Sequence, residues 1–217
     1  MSANLTQTTP YNSTHNSNYF EMSIAIPSYL LAITIGNLTE RQVGTRTYVV
    51  TEPTMIDKCA AELEDMEQML DTAQNFLQLP YIWGIYKLLV LPPSFPLGGM
   101  ENPLITFASP TIIVGDKSQV YVATHEMCHS WTGNEVTCEN WSNEWLNEGF
   151  TVFEERKVSQ ILNNVSFALN EAVLGNASLF QDFNTFGFDN SYSALHPNVS
   201  GVDPNDAYNN VCYEKGF

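Results

Sequence analysis

The chain has 217 residues, 44% of them hydrophobic and 12% aromatic, enough apolar material for one large domain or two small ones around a real core. Its 24 acidic residues against 8 basic ones give a formal net charge of −16, which argues against phosphate backbones and anionic lipid as partners. Nucleic acid and membrane surfaces are thereby excluded as expected partners, and an acidic field favours cationic ligands such as a free amino terminus.

Residues 1–21 are rich in Asn, Thr and Ser and read as a disordered lead-in, with too little apolar surface to offset the entropy of ordering. They carry neither a basic n-region nor an apolar h-region, and no apolar run reaches the ~18 residues a membrane helix needs. Cys59, Cys128, Cys138 and Cys212 show no paired spacing, so free thiols in a reducing compartment and a cytoplasmic location are expected. The N-x-S/T sequences at Asn4, Asn12, Asn37, Asn140, Asn164, Asn176 and Asn198 then reflect Asn-rich composition rather than glycans.

Residues 29–35 and 45–51 are β-branched and aromatic, with Gly36-Asn37 between them, and predict strands. From Met55 to Leu79 apolar residues recur three or four apart, which predicts one amphipathic helix. Residues 86–91 predict a buried strand ended by Pro92-Pro93. The following loop, SFPLGGMENP, carries Gly98, Gly99, Met100 and Glu101. Its glycines permit close approach of another chain, and Glu101 reads either as a solvated turn residue or as a binding group. Residues 105–108 and 111–114 predict further strands, and 117–131 a helix.

That helix contains His125-Glu126-Met127-Cys128-His129. At about 100° per residue its two histidines share a face and can reach one metal ion, while Glu126 beside them can take a proton from water. Cys128 is directed toward packing instead. Residues 139–163 predict a second helix with Glu148 in Asn147-Glu148-Gly149-Phe150, and two His with one Glu form a zinc site with a fourth position open. Glu155 returns to nearly the face of Glu148; it reads either as the acceptor of a ligating histidine's other ring N–H or as a solvated partner of Arg156 or Lys157. Residues 164–183 predict a helix and 185–205 a loop, and Tyr213 to Phe217 read as a helix beginning.

The segments PPSFPLGGMENP (Pro92 to Pro103), HEMCHSWTGN (His125 to Asn134), WLNEGFTVFEER (Trp145 to Arg156) and DPNDAYNNVCYEKGF (Asp203 to Phe217) resemble, in order and spacing, the signatures of the zinc aminopeptidases of the gluzincin type. The resemblance covers about residues 22–217. It implies an α+β fold: a thermolysin-like zinc metallopeptidase catalytic domain over residues 53–217, truncated at its C-terminal side, after the terminal strands of a β-domain over 22–52. It implies one Zn2+ per chain on His125, His129 and Glu148, with Glu126 as general base and Tyr213 as hydrogen-bond donor to the oxyanion. Glu101 would bind the α-amino group of a peptide with a free N-terminus, bordered by Gly98, Gly99 and Met100, in a parent protein that is monomeric when full-length.

A lipid-epoxide-opening member of that family has an acidic residue at the position of Asn205 and an aromatic one at Leu97, and Glu144 replaces another pocket aromatic. The first change argues against epoxide hydrolysis and leaves peptide cleavage untouched. A bifunctional epoxide hydrolase and a catalytically incomplete zinc-binding fragment stand as the alternatives.

Overall fold

The computed structural model describes the backbone of residues 1–217 and every side chain except those of Pro204 and Asn205, so the departure noted at Asn205 lies outside the described residues. The fold is mixed α+β and forms two compact units, Met1–Glu67 with Ile82–Glu126, and Gln68–Tyr81 with Met127–Phe217.

The first unit opens with an antiparallel hairpin, β1 (Asn4–Pro10) and β2 (Asn16–Glu21), where the composition predicts no order. Its residues are mostly exposed, so local ladder bonds rather than burial make it. Residues 29–35 form no strand: Ser28–Leu30 is a 3-10 turn. Leu30 and Ala32 are buried while Leu31, Ile33 and Ile35 are exposed. The alternation of an extended chain is there, and Ala32 bonds to Ser2 instead of a strand.

A five-stranded sheet follows, built from β3 (Thr39–Gln42), β4 (Thr47–Thr51), β5 (Tyr86–Val90), β6 (Gly99–Met100) and β7 (Thr106–Ala108), in the order β3-β4-β5-β7-β6. The inner pairs β4·β5 and β5·β7 are parallel, and the edges β3 and β6 are antiparallel. Val49, Val50, Leu88 and Leu89 are all buried, so successive residues are covered on both faces, as inner parallel strands require. Val50, Leu89 and Ile105 centre the core on one face.

The single helix predicted from Met55 is two, α1 (Ile56–Glu62) and α2 (Met66–Leu77). Glu62 accepts from the Lys117 backbone N–H at 2.8 Å, and Glu64 and Asp65 pair with its ammonium at 2.6 Å. A distant cation thus organises the acidic break. Residues 111–114 are not a strand either, because Ser109 caps a 3-10 turn over Pro110–Ile112. The motif helix, α3, is confined to Tyr121–Cys128.

In the second unit, α4 (Trp145–Leu162) and α5 (Val165–Phe186) pack with the short α7 (Val211–Glu214), and α6 spans Pro204–Ala207. Asn164 caps α5 by accepting from the Phe167 N–H at 3.0 Å, and Asn140 caps the 3-10 turn over Trp141–Asn143. Both Asn residues of those sequons therefore act as helix caps.

Candidate functional site

Helix α3 ends at Cys128, so His125 sits in its last turn and His129 directly after it, four residues on from His125. Its last turn tightens, with Ser130 N bonding Met127 O at 3.0 Å and Trp131 N bonding Cys128 O at 3.0 Å, which lets the chain leave just after His129. Gly133 follows with φ +133°, and a Cβ there would lie 2.8 Å from His129 Nδ1. Only glycine fits both that backbone and that ring.

His129 is buried, and its Nδ1 lies 2.8 Å from the Thr132 carbonyl oxygen and 3.0 Å from Thr151 Oγ1. The Thr151 hydroxyl donates to the same carbonyl at 2.9 Å. A carbonyl only accepts, so the ring proton belongs on Nδ1 and the lone pair on Nε2. Nε2 stands 3.2 Å from Glu148 Oε2: a ring protonated on both nitrogens donates to that carboxylate, whereas a neutral ring sets two acceptors face to face, an arrangement that a cation between them relieves. Four ligands at ~2.0–2.1 Å around a tetrahedral zinc stand roughly 3.3 Å apart, so the observed pair has the right separation. His125, His129 and Glu148 offer ligand atoms all within 4.8 Å of one another. The donor set thus fits a metal ion.

Thr151 is a site residue that sequence reasoning missed. It lies three residues after Glu148 on α4 and orients His129, and that spacing was its only signal. Since Thr132 and Thr151 occupy Nδ1 of His129, the orienting role expected of Glu155 does not fall on this histidine. Glu155 is buried, which removes its reading as a solvated residue. Cys128 is fully buried and its thiol is pushed well above the usual range by burial first, then by the charges of Glu154 and Glu155; it is not among the grouped ligand atoms.

In the first unit, β6 is the edge strand carrying Gly99 and Met100, held on β7 by the Gly99–Ala108 and Met100–Phe107 register. A Cβ on Gly99 would lie 2.2 Å from Glu126 Oε1, so the strand's backbone passes directly against the carboxylate. Gly98 touches Val122 more loosely, at 3.9 Å for the same construction. Glu101 follows the strand and is buried, so it is not a solvated turn residue.

Tyr213 lies on α7 with its hydroxyl 3.0 Å from that of Tyr208. Burial first, then the charge of Glu148, push its phenol well above its usual range, so it stays a protonated donor. Leu97 is exposed, and Glu144 ends the turn before α4, its carbonyl accepting from Glu148 N at 3.0 Å. No helix among the described residues is long and apolar enough to cross a membrane.

The Peptidase family M1 domain matches residues 61–217. Leukotriene A-4 hydrolase of Xenopus laevis is 47% identical over 198 residues, covering 91% of this chain and 32% of that protein. Aminopeptidase B of Homo sapiens is 45% identical over 204 residues, covering 93% and 31%. The structure of native leukotriene A4 hydrolase from Saccharomyces cerevisiae superposes with a TM-score of 0.90 at 36% identity, over 100% of this chain and 34% of that one. The chain spans about a third of the length of these relatives.

Proposed function

The chain belongs to peptidase family M1, and on that footing we propose that it is the metal-binding part of a zinc aminopeptidase that releases the N-terminal residue of short peptides. The observation that carries this is the acceptor pair His129 Nε2 and Glu148 Oε2 at 3.2 Å, with His125 in reach. His125, His129 and Glu148 would hold one Zn2+, and Thr151 and the Thr132 carbonyl keep the His129 lone pair free for it. When bound there, zinc polarises the scissile carbonyl and lowers the pKa of water toward ~7.

The remaining work falls to the chain's own groups. Glu126 takes a proton from the attacking water as its oxygen bonds to the carbonyl carbon. It then delivers that proton to the leaving amine nitrogen as the C–N bond breaks, so a free amino acid and a shortened peptide result. Glu101 pairs with the substrate's protonated α-amino group, and β6 offers the backbone edge beside which an extended peptide can lie. The Tyr213 hydroxyl donates to the carbonyl oxygen as negative charge develops on it, a kind of contact worth about 2.7–4 kcal/mol. The free thiols of Cys59, Cys128, Cys138 and Cys212 support a cytoplasmic setting.

The deciding experiment compares Glu126→Gln with the unsubstituted chain, both zinc-loaded, on an aminoacyl p-nitroanilide. Removing a general base lowers turnover by about 10²–10⁴-fold. Equal turnover by the two would end the mechanism, and one zinc per chain without any turnover would leave a binding fragment.

A further inference from the structure

Tyr213 sits on α7, a helix of four residues, far too short to be stable alone. Its placement must come from its neighbours, and two contacts supply it. At the first, backbone meets backbone: a Cβ on Gly149 would lie 2.6 Å from both Cα and C of Gly216, and one on Gly216 would lie 2.9 Å from Gly149 Cα. This fixes the chain two residues beyond α7 against Gly149, the neighbour of the ligand Glu148.

The second contact is charged. Arg156 Nη2, on α4, donates to both carboxylate oxygens of Glu214 at 2.8 Å, with side-chain exposures of only 7% and 13%. The guanidinium also stacks on Phe217, its Cζ 4.2 Å from the ring centroid. Gly175 of α5 leaves the room, since a Cβ there would lie 2.1 Å from Glu214 Oε2 and 2.3 Å from Arg156 Nη2. Nε and Nη1 of Arg156 have no hydrogen-bond partner among the described residues, so the carboxylate this buried guanidinium bonds is Glu214, with the Glu171 carboxyl also within its electrostatic reach. Three helices converge on this one ion pair, and its acidic member is the residue next to Tyr213.

We propose that Arg156 and Glu214 are positioning residues that hold the Tyr213 hydroxyl in register with Glu148. This rests on the reading of Tyr213 as oxyanion donor. Neither residue touches substrate. Turning α7 about the Gly149–Gly216 contact would swing the phenol, and a displacement of about 1 Å can cost ~10²-fold in rate.

The test measures kcat and KM for the zinc-loaded chain carrying Glu214→Gln, Tyr213→Phe, both together, and Arg156→Lys. Glu214→Gln should lower kcat about 10- to 100-fold at nearly unchanged KM, should add nothing in the Tyr213→Phe background, and Arg156→Lys should lose less than Glu214→Gln. Losses that multiply in the double variant would mean general destabilisation and overturn the proposal. Wild-type kcat in Glu214→Gln beside an impaired Tyr213→Phe would overturn it alone, whereas wild-type kcat in Tyr213→Phe would remove the reading beneath it. Amide exchange gives a readout independent of turnover and decides the matter if the chain is inactive. The N–H groups of Glu214, Lys215 and Phe217, bonded to the carbonyls of Asn210, Val211 and Tyr213, should exchange faster in Glu214→Gln while α4 stays protected. Unchanged protection of α7 would overturn the proposal.

Discussion

Helices α4 and α5 are neighbours in one unit and invert the usual rule of burial in opposite ways. Helix α4 buries Asn147, Glu148, Thr151, Glu154, Glu155, Arg156 and Ser159. On α5 the buried residue is Gly175, while Val165, Phe167, Leu169, Val173, Leu174 and Phe180 are exposed. Buried polar groups are costly unless paired, and on α4 pairing is seen for Thr151 against His129 and Thr132 and for Arg156 against Glu214, while Glu148 faces His129 in the candidate metal site. Burial on α4 therefore goes with paired polar groups, whereas the exposed apolar residues Val165, Leu169, Val173 and Leu174 of α5 contribute little to this fold.

The largest effect should come from breaking a pair on α4. Arg156→Met leaves Glu214 as an uncompensated buried charge and should destabilise the unit by about 3–5 kcal/mol in urea unfolding. A loss near zero would mean that paired charge does not hold α4 in place. Next, Thr151→Val removes the hydroxyl at His129 Nδ1 and should weaken zinc binding about 10- to 100-fold in chelator competition, with Thr151→Ser close to wild type.

Glu171 of α5 sharpens the contrast, because it is an acidic group turned inward from the otherwise exposed helix. Its pKa is raised from the ordinary 4.5 to about 7, by burial first and then by the charge of Glu155, against the pull of Ser159 and Arg156. A raised acid binds more protons folded than unfolded, so stability is fully present below pH 4.5 and falls as pH rises through about 7. Melting temperatures at pH 5 and pH 8 should therefore differ in that direction, and Glu171→Gln should flatten the slope. The smallest effect belongs to the outer face of α5: Val173→Gln and Leu174→Gln should each change stability by no more than about 0.5 kcal/mol. A loss of several kcal/mol would show that this face is buried in solution.

Much of this was legible beforehand. The 3.6-residue period predicts one face for His125, Glu126 and His129, although the observed helix stops at Cys128, and Glu148 follows from its spacing after His129 and its chemistry in a second helix. The apolar runs of β4 and β5 and the length of α5 followed from the same kind of pattern. The failures have a common cause. Residues 29–35 alternate like a strand and have no strand beside them; the helix from Met55 breaks where Lys117, some fifty residues on, attracts Glu62, Glu64 and Asp65. A weak local preference gives way to a distant partner.

By itself the sequence determined the family, the four-residue spacing of the two histidines and the identity of the groups that could hold a metal, because period and side-chain chemistry are local properties. Only the tertiary structure decided that Thr151 and Thr132 turn the His129 lone pair toward Glu148 and that Arg156 reaches Glu214. Periodicity specifies which face a residue occupies. Which residue it meets there depends on where the rest of the chain has been packed.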